Sequence, residues 1–173
     1  MENLRFLSED QVRRLQAEFG TPLFVYDQAS LERQAAVALG FPAPFGLTVR
    51  YAMKACPSAA VLRVLTEAGL HIDASSGWEV HRAIAAGVPA KRILLTAQQL
   101  PEDLAELIGL GTGFNACSLA QLVAFGQACP GQEVSVRLNP GLGSGHSNRT
   151  NVGGPASSFG IWKDDLEEAR RLC

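Results

Sequence analysis

The sequence predicts an α/β fold made of repeated strand–helix units. Three observations carry that expectation. From residue 47 onward, short apolar runs alternate with runs of helical period. The helical runs stop at or near a glycine, as at Gly69, Gly87 and Gly111. Each unit takes roughly 20–25 residues, the scale of a βα unit. Such repeats build either a doubly wound sheet or a (β/α)8 barrel, and the period fits both.

Before the repeat, SEDQVRRLQAEF (8–19) reads as a helix capped by Ser8, with Val12, Leu15 and Phe19 on one face. TPLFVYD (21–27) reads as a strand, QASLERQAAVAL (28–39) as a helix, and FPAPFG (41–46) as a loop. The repeat then pairs strand 47–54 with helix 57–69, strand 70–76 with helix 77–87, and strand 92–97 with helix 100–111. Strand 113–118 leads to helix 119–129, and strand 133–140 to a Gly-rich loop and a last helix from 163. About five strands repeat, whereas a barrel needs eight and typically about 250 residues. A barrel here is expected to be a partial one, because the chain ends within a helix.

Composition bounds the function. The 173 residues are 47% hydrophobic and 18% charged, which is enough for a core and unlike a disordered chain. A net charge of −2 without a basic stripe argues against nucleic acid. No apolar run approaches the roughly 20 residues of a membrane span, and the N-terminus lacks the apolar core of a signal peptide. The expected protein is soluble and cytoplasmic. Cys56, Cys117, Cys129 and Cys173 form no C-x-x-C pair, so small core residues are expected rather than zinc ligands. His71, His81 and His146 share no metal spacing. His81 is expected to be structural or solvated, and His146 to lie near the site rim.

In either architecture, ligands gather at the C-terminal ends of the strands. Those ends carry Lys54, then Asp73 and Ser76, Thr96 and Gln98, Asn115 and Ser118, and Arg137 and Asn139. Ser76 and Ser118 read equally well as helix caps. Lys54 stands out, because three of the 15 basic residues are lysines. Strand alternation puts it on one face with Thr48, Arg50 and Ala52. A partly desolvated lysine there would have the lowered pKa that lets an amine attack a carbonyl. A lysine snorkelling from a strand end explains the position as well. The glycines of GLGSGHSNRTNVGG (141–154) follow a late strand and open no helix, so they are not a dinucleotide fingerprint.

The ordered segments together resemble the ornithine/diaminopimelate/arginine decarboxylase family. RYAMKACPS looks like its pyridoxal-phosphate lysine motif, and TPLFVYD resembles its N-terminal strand. HIDASSGWEVHRAIAAGV, RILLTAQQL, GFNACSLAQL and VSVRLNPGLG follow in the family's order. GHSNRTNVGGPASSFGIW particularly resembles a bacterial subgroup acting on diaminopimelate. Two positions depart from the pattern. Ser158 replaces a motif lysine, and Trp78 replaces the glycine before Glu79, with Gly77 one place earlier.

The resemblance implies an alanine-racemase-like pyridoxal-phosphate barrel, of which this chain would supply the first five or so βα units. Residues 29–173 would form the incomplete barrel. Residues 1–28 would be a helix and a strand, the strand joining a C-terminal β-domain. Lys54 would hold pyridoxal 5'-phosphate as a Schiff base, with Asp73 and Arg137 orienting the lysine and the cofactor rim. Glu79 would support its strand–helix turn. The implied reaction is decarboxylation of meso-2,6-diaminopimelate to L-lysine by a homodimer. Other basic amino acids, or a non-catalytic cofactor-binding role, are the alternatives. The family's phosphate loop and substrate residues would lie beyond Cys173, so the 173-residue piece is expected to be inactive and to associate through its open sheet edges.

Overall fold

A computed structural model describes residues 6–143, 152–155 and 157–173. Its elements are α1 (Glu9–Phe19), α2 (Gln28–Leu39), β1 (Arg50–Ala52), α3 (Ala59–Glu67), β2 (His71–Ala74), α4 (Gly77–Ala85) and β3 (Ile93–Leu95). There follow α5 (Leu104–Gly109), β4 (Gly113–Ala116), α6 (Leu119–Ala128), β5 (Ser135–Val136), β6 (Leu138–Asn139), β7 (Ile161–Trp162) and α7 (Leu166–Leu172).

Strands β1 to β5 form one parallel sheet in sequential order, and β6 pairs with β7 in parallel. Arg137 joins the two sheets. Its N–H donates to Ala116 O at 2.8 Å on the β4 side, and its carbonyl accepts from Ile161 N at 2.7 Å on the β7 side. The expected strand 133–140 is therefore real but divided, because its partner changes at Arg137. A doubly wound sheet reverses its strand order, whereas a barrel does not. The unbroken order thus settles the alternatives in favour of part of a barrel.

The helix-facing side of the sheet is the core. Ile72, Ala74, Ile93, Leu95, Phe114 and Ala116 are buried against Leu62, Val80, Leu107 and Leu122 of the covering helices. Phe114 and Phe125 stack with centroids 5.2 Å apart. Each fully buried Ile, Leu, Val or Phe side chain contributes about 1.5–3 kcal/mol. A smaller cluster of Ala35, Val61, Leu65 and Leu70 seats α2 on α3. Cys117 and Cys129 are buried, as expected for core cysteines, while Cys173 is exposed.

Three expectations change. Residues 21–27 pair with no strand among the described residues: 21–22 form a bend and 23–27 have no regular structure, and a segment without a ladder partner is not a strand. The lysine strand stops at Ala52 and gives way to a 3-10 turn, Met53–Ala55. β7 arises in a stretch whose sequence predicts a loop. It is only two residues long, too short for a periodic signal. Helix α1 has the expected Ser8 cap, closed into a capping box with Gln11, yet buries none of its residues. No helix among the described residues is long and apolar enough to cross a membrane.

Asn139 is a buried clasp rather than a rim residue. Its Nδ2 donates to Gly154 O at 3.0 Å, while its Oδ1 accepts from Gly154 N at 2.9 Å and Gly141 N at 3.1 Å. Gly160 packs beneath the same strand with φ +87°, where a Cβ would stand 3.0 Å from Arg137 O. Asn139→Ala is expected to destabilise the chain by about 2 kcal/mol, since it orphans two buried backbone groups of Gly154 and a part-buried one of Gly141. Urea denaturation measures this, and an unchanged midpoint would refute the clasp.

His71 Nδ1 is buried without a hydrogen-bond partner among the described residues. Burial, together with the charges of Arg50 and Arg92, holds the His71 pKa below its ordinary value. The folded state therefore favours neutral His71. Its contribution is complete above the ordinary histidine value of about 6.5 and is lost as pH falls toward the lowered folded value. Denaturation midpoints should drop as pH falls below about 6.5, and His71→Leu should flatten that slope.

Candidate active site

A cleft of about 910 Å³ opens at the C-terminal ends of the strands, with Lys54, Asp73, Thr96, Arg137, Phe159 and Trp78 among its lining residues. Lys54 is carried on the 3-10 turn, which is anchored by fully buried Met53. The segment after it is held twice: Arg82 Nε donates to Pro57 O at 2.7 Å, and Tyr51 Oη to Cys56 O at 3.4 Å. Cys56 does more than pack. Its Sγ donates to Tyr26 Oη at 3.4 Å and so ties the segment 21–27 to the lysine turn.

Lys54 is exposed rather than partly desolvated, on a turn that follows the strand and borders the cleft. It has no ion pair among the described residues. Asp73 projects from β2 and accepts from Thr96 Oγ1 at 2.8 Å. Arg137 lies between β5 and β6, its guanidinium 4.8 Å from the centroid of the Phe159 ring, with Nη2 donating to Val152 O at 3.4 Å. Stacking on an aromatic face suits a planar cation and orients it. Burial pushes the Cys117 thiol pKa up, and the nearby Arg137 charge pulls the other way.

Two strand exits are built on one plan. After β2, Ser76 Oγ accepts from Glu79 N at 3.2 Å and Glu79 Oε2 accepts from Ser75 N at 2.6 Å. After β4, Ser118 Oγ accepts from Gln121 N at 3.2 Å and Gln121 Oε1 accepts from Cys117 N at 2.7 Å. Both are reciprocal caps of the Ser-x-x-Glu/Gln kind. Ser76 and Ser118 are therefore caps, although Ser76 also lines the cleft, and Glu79 supports its turn as expected. Gln121 adds a second function. Its Nε2 donates to Ala97 O and Gln98 O, both at 2.9 Å, and so fastens the exit of β3 to that of β4.

Four of the expected rim positions, Lys54, Asp73, Thr96 and Arg137, meet in the cleft, and Gln98 lines it too. Asn115 does not. It accepts from Ser135 Oγ at 3.2 Å and borders a separate hollow toward the other end of the strands. His146 and residues 144–151 of the motif loop lie outside the described residues. His81, expected to be structural or solvated, also borders the cleft, with Nε2 2.5 Å from Asp103 Oδ2. Phe159 was missed because it follows no periodic run. Gln121 could have been found from the Ser118-x-x-Gln121 spacing. At Gly77 a Cβ would stand 2.8 Å from Pro101 Cβ. The glycine is therefore required there, while Trp78 turns outward, 86% exposed, at the rim.

The donor set fits pyridoxal phosphate. A lysine amine without an ion pair among the described residues suits a cofactor aldehyde, an arginine and a carboxylate offer both signs of charge, and aromatic Phe159 adjoins them in a cleft of ample volume. Gln121→Glu should test the scaffold. The change keeps the acceptor for Cys117 N but sets a carboxylate oxygen against two carbonyls. A loss of about 2–3 kcal/mol is expected in denaturant titration, and a neutral result would refute the fastening.

Comparison with known proteins identifies the family and the fold. The family model described as pyridoxal-dependent decarboxylase, pyridoxal binding domain, matches residues 29–173. Diaminopimelate decarboxylase of Streptomyces coelicolor is 42% identical over 161 residues, covering 90% of this chain and 36% of the relative. That of Escherichia coli K12 is 39% identical over 168 residues, covering 94% and 39%. A crystal structure of diaminopimelate decarboxylase superposes with a TM-score of 0.83 at 38% identity, over 94% of this chain and 39% of that one. The Helicobacter pylori enzyme complexed with L-lysine, at 21% identity and a TM-score of 0.81, shares the fold. The chain thus spans less than half the length of these relatives. With a lysine, a carboxylate and an arginine at the strand ends and a family match over most of its length, the chain belongs to the pyridoxal-dependent decarboxylases through their pyridoxal-binding domain.

Proposed function

We propose that this chain supplies the lysine-bearing part of a diaminopimelate decarboxylase active site, in which carbon dioxide leaves meso-2,6-diaminopimelate and L-lysine remains. One observation carries the reading: the exposed Lys54 amine shares a cleft at the strand ends with Asp73 and Arg137. Identities of 42% and 39% to diaminopimelate decarboxylases support the substrate. In this reading the whole protein is a homodimeric cytoplasmic enzyme acting on a small amino acid.

Lys54 would hold pyridoxal phosphate covalently through Nζ, with Asp73 and Arg137 beside it. When bound, the cofactor supplies a sink for the electron pair left behind by departing carbon dioxide. The Lys54 amine, when free, would be able to accept and return a proton within the cleft. Arg137, steadied on Phe159, contributes a fixed positive charge, and Asp73 a fixed negative one. Residues 29–173 form the barrel part, and residues 1–28 a lead-in whose stretch 21–27 pairs with a β-domain. That last assignment is supported by Phe24, 88% exposed, and by the exposed Leu23 and Tyr26 beside it.

Borohydride reduction of the chain with pyridoxal phosphate, followed by peptide mapping, tests the assignment. A pyridoxyl group is expected on Lys54 and absent from Lys54→Ala. An adduct on Lys91 or Lys163 instead, or none, would overturn it. The 173-residue chain alone is expected to release no carbon dioxide from meso-2,6-diaminopimelate, and measured turnover would refute that. In a protein of the relatives' length, Lys54→Ala should lower decarboxylation by at least about 10³-fold. Preference for ornithine or arginine would reject the substrate.

A further inference from the structure

We propose that Thr96 is a positioning residue for the Lys54 site: its hydroxyl pins one oxygen of Asp73 and so turns the other toward the cleft. The inference rests on Lys54 being the cofactor-binding amine.

Strand pairing places the two residues. β2 and β3 run in parallel register with Ala74 opposite Leu95. One residue further on, Thr96 N still donates to Ala74 O at 2.8 Å, extending the ladder past the end of β3. That bond fixes the Thr96 backbone beside Asp73, and Thr96 Oγ1 meets Asp73 Oδ1 at 2.8 Å. Asp73 Oδ2 has no hydrogen-bond partner among the described residues, and Asp73 lines the same cleft as Lys54 and Arg137.

The choice of threonine has a physical reason. The terminal torsion of an aspartate is broad and two-fold, so an untethered carboxylate rotates freely between its oxygens. One short bond to a fixed donor sets its plane. A β-branched residue holds its own hydroxyl in few rotamers, so the donor is itself stiff. Two other hydroxyls are committed: Ser76 caps α4, and Ser135 donates to Phe114 O and Asn115. Thr96 is the donor that reaches Asp73 among the described residues.

The readouts are equilibrium affinity for pyridoxal phosphate and, at saturating cofactor, the rate of forming the borohydride-stable adduct on Lys54. Thr96→Val keeps the shape and removes the hydroxyl. It should slow adduct formation about tenfold, the scale of one hydrogen bond to a charged group. Thr96→Ser retains the donor and should come within about threefold of the unmodified chain. In an Asp73→Ala background, Thr96→Val should have no further effect. An unaltered rate in Thr96→Val, failure of Thr96→Ser to rescue, or an equal loss in the Asp73→Ala background overturns the proposal. Absence of any Lys54 adduct in the unmodified chain would reject the Lys54 reading, and the role of Thr96 with it. A normal adduct indifferent to Thr96 rejects Thr96 alone.

Discussion

The cleft depends on the parallel register that sets Tyr51 beside Ile72 and Ile72 beside Ile93. Side chains alternate along a strand, so a slip of one residue would exchange its two faces. The helix-facing residues Ile72, Ala74, Ile93 and Leu95 would then lose their burial against Val80, Leu62 and Leu107. The same slip would drive Asp73 into the helix layer, where a carboxylate is costly. Core packing that makes no contact with the cleft therefore decides which polar side chains reach it.

A second level of order comes from the strand exits. Backbone leaving a parallel sheet has unpaired N–H groups, and each exit must satisfy them locally. At β2 and β4, serine and a Glu or Gln three residues on do so reciprocally. Gln121 then extends from its own exit to the carbonyls of Ala97 and Gln98. The cleft wall is thus made of loops whose backbone is hydrogen-bonded to neighbouring exits, which suits a surface that must present Asp73, Thr96 and Arg137 together.

The inner face of the sheet contrasts with the outer one. Residues of β2 and β4 alternate between half-buried on the inner side and buried toward the helices. Near the other strand ends, His71 feels the charges of Arg50 and Arg92, and its Nδ1 has no hydrogen-bond partner among the described residues. At the N-terminus, α1 and the segment after it leave Phe19, Phe24 and Tyr26 largely exposed. The link from Tyr26 to Cys56 nevertheless joins that segment to the turn bearing Lys54, so the lead-in and the candidate site are physically connected.

Much of this was legible in the sequence. Periodicity located the helices and the βα rhythm, because an amphipathic period reflects one buried face. Lys54, Asp73, Thr96 and Arg137 were readable as strand-end polar residues, because apolar runs announce where strands stop. Other features depended on contacts distant in sequence. The division of the fifth strand at Arg137 follows from a change of hydrogen-bond partner between Ala116 and Ile161. Asn139 resembled a rim residue until Gly154 closed around it. Phe159 gains meaning only beneath the Arg137 guanidinium. By itself, the sequence determined the element types, the βα repeat and the lysine at its first strand end, all properties of local pattern. The tertiary structure decided the sequential strand order, the exposure of Lys54 and the Thr96–Asp73 bond, because each is a relation between segments that meet only when the sheet assembles.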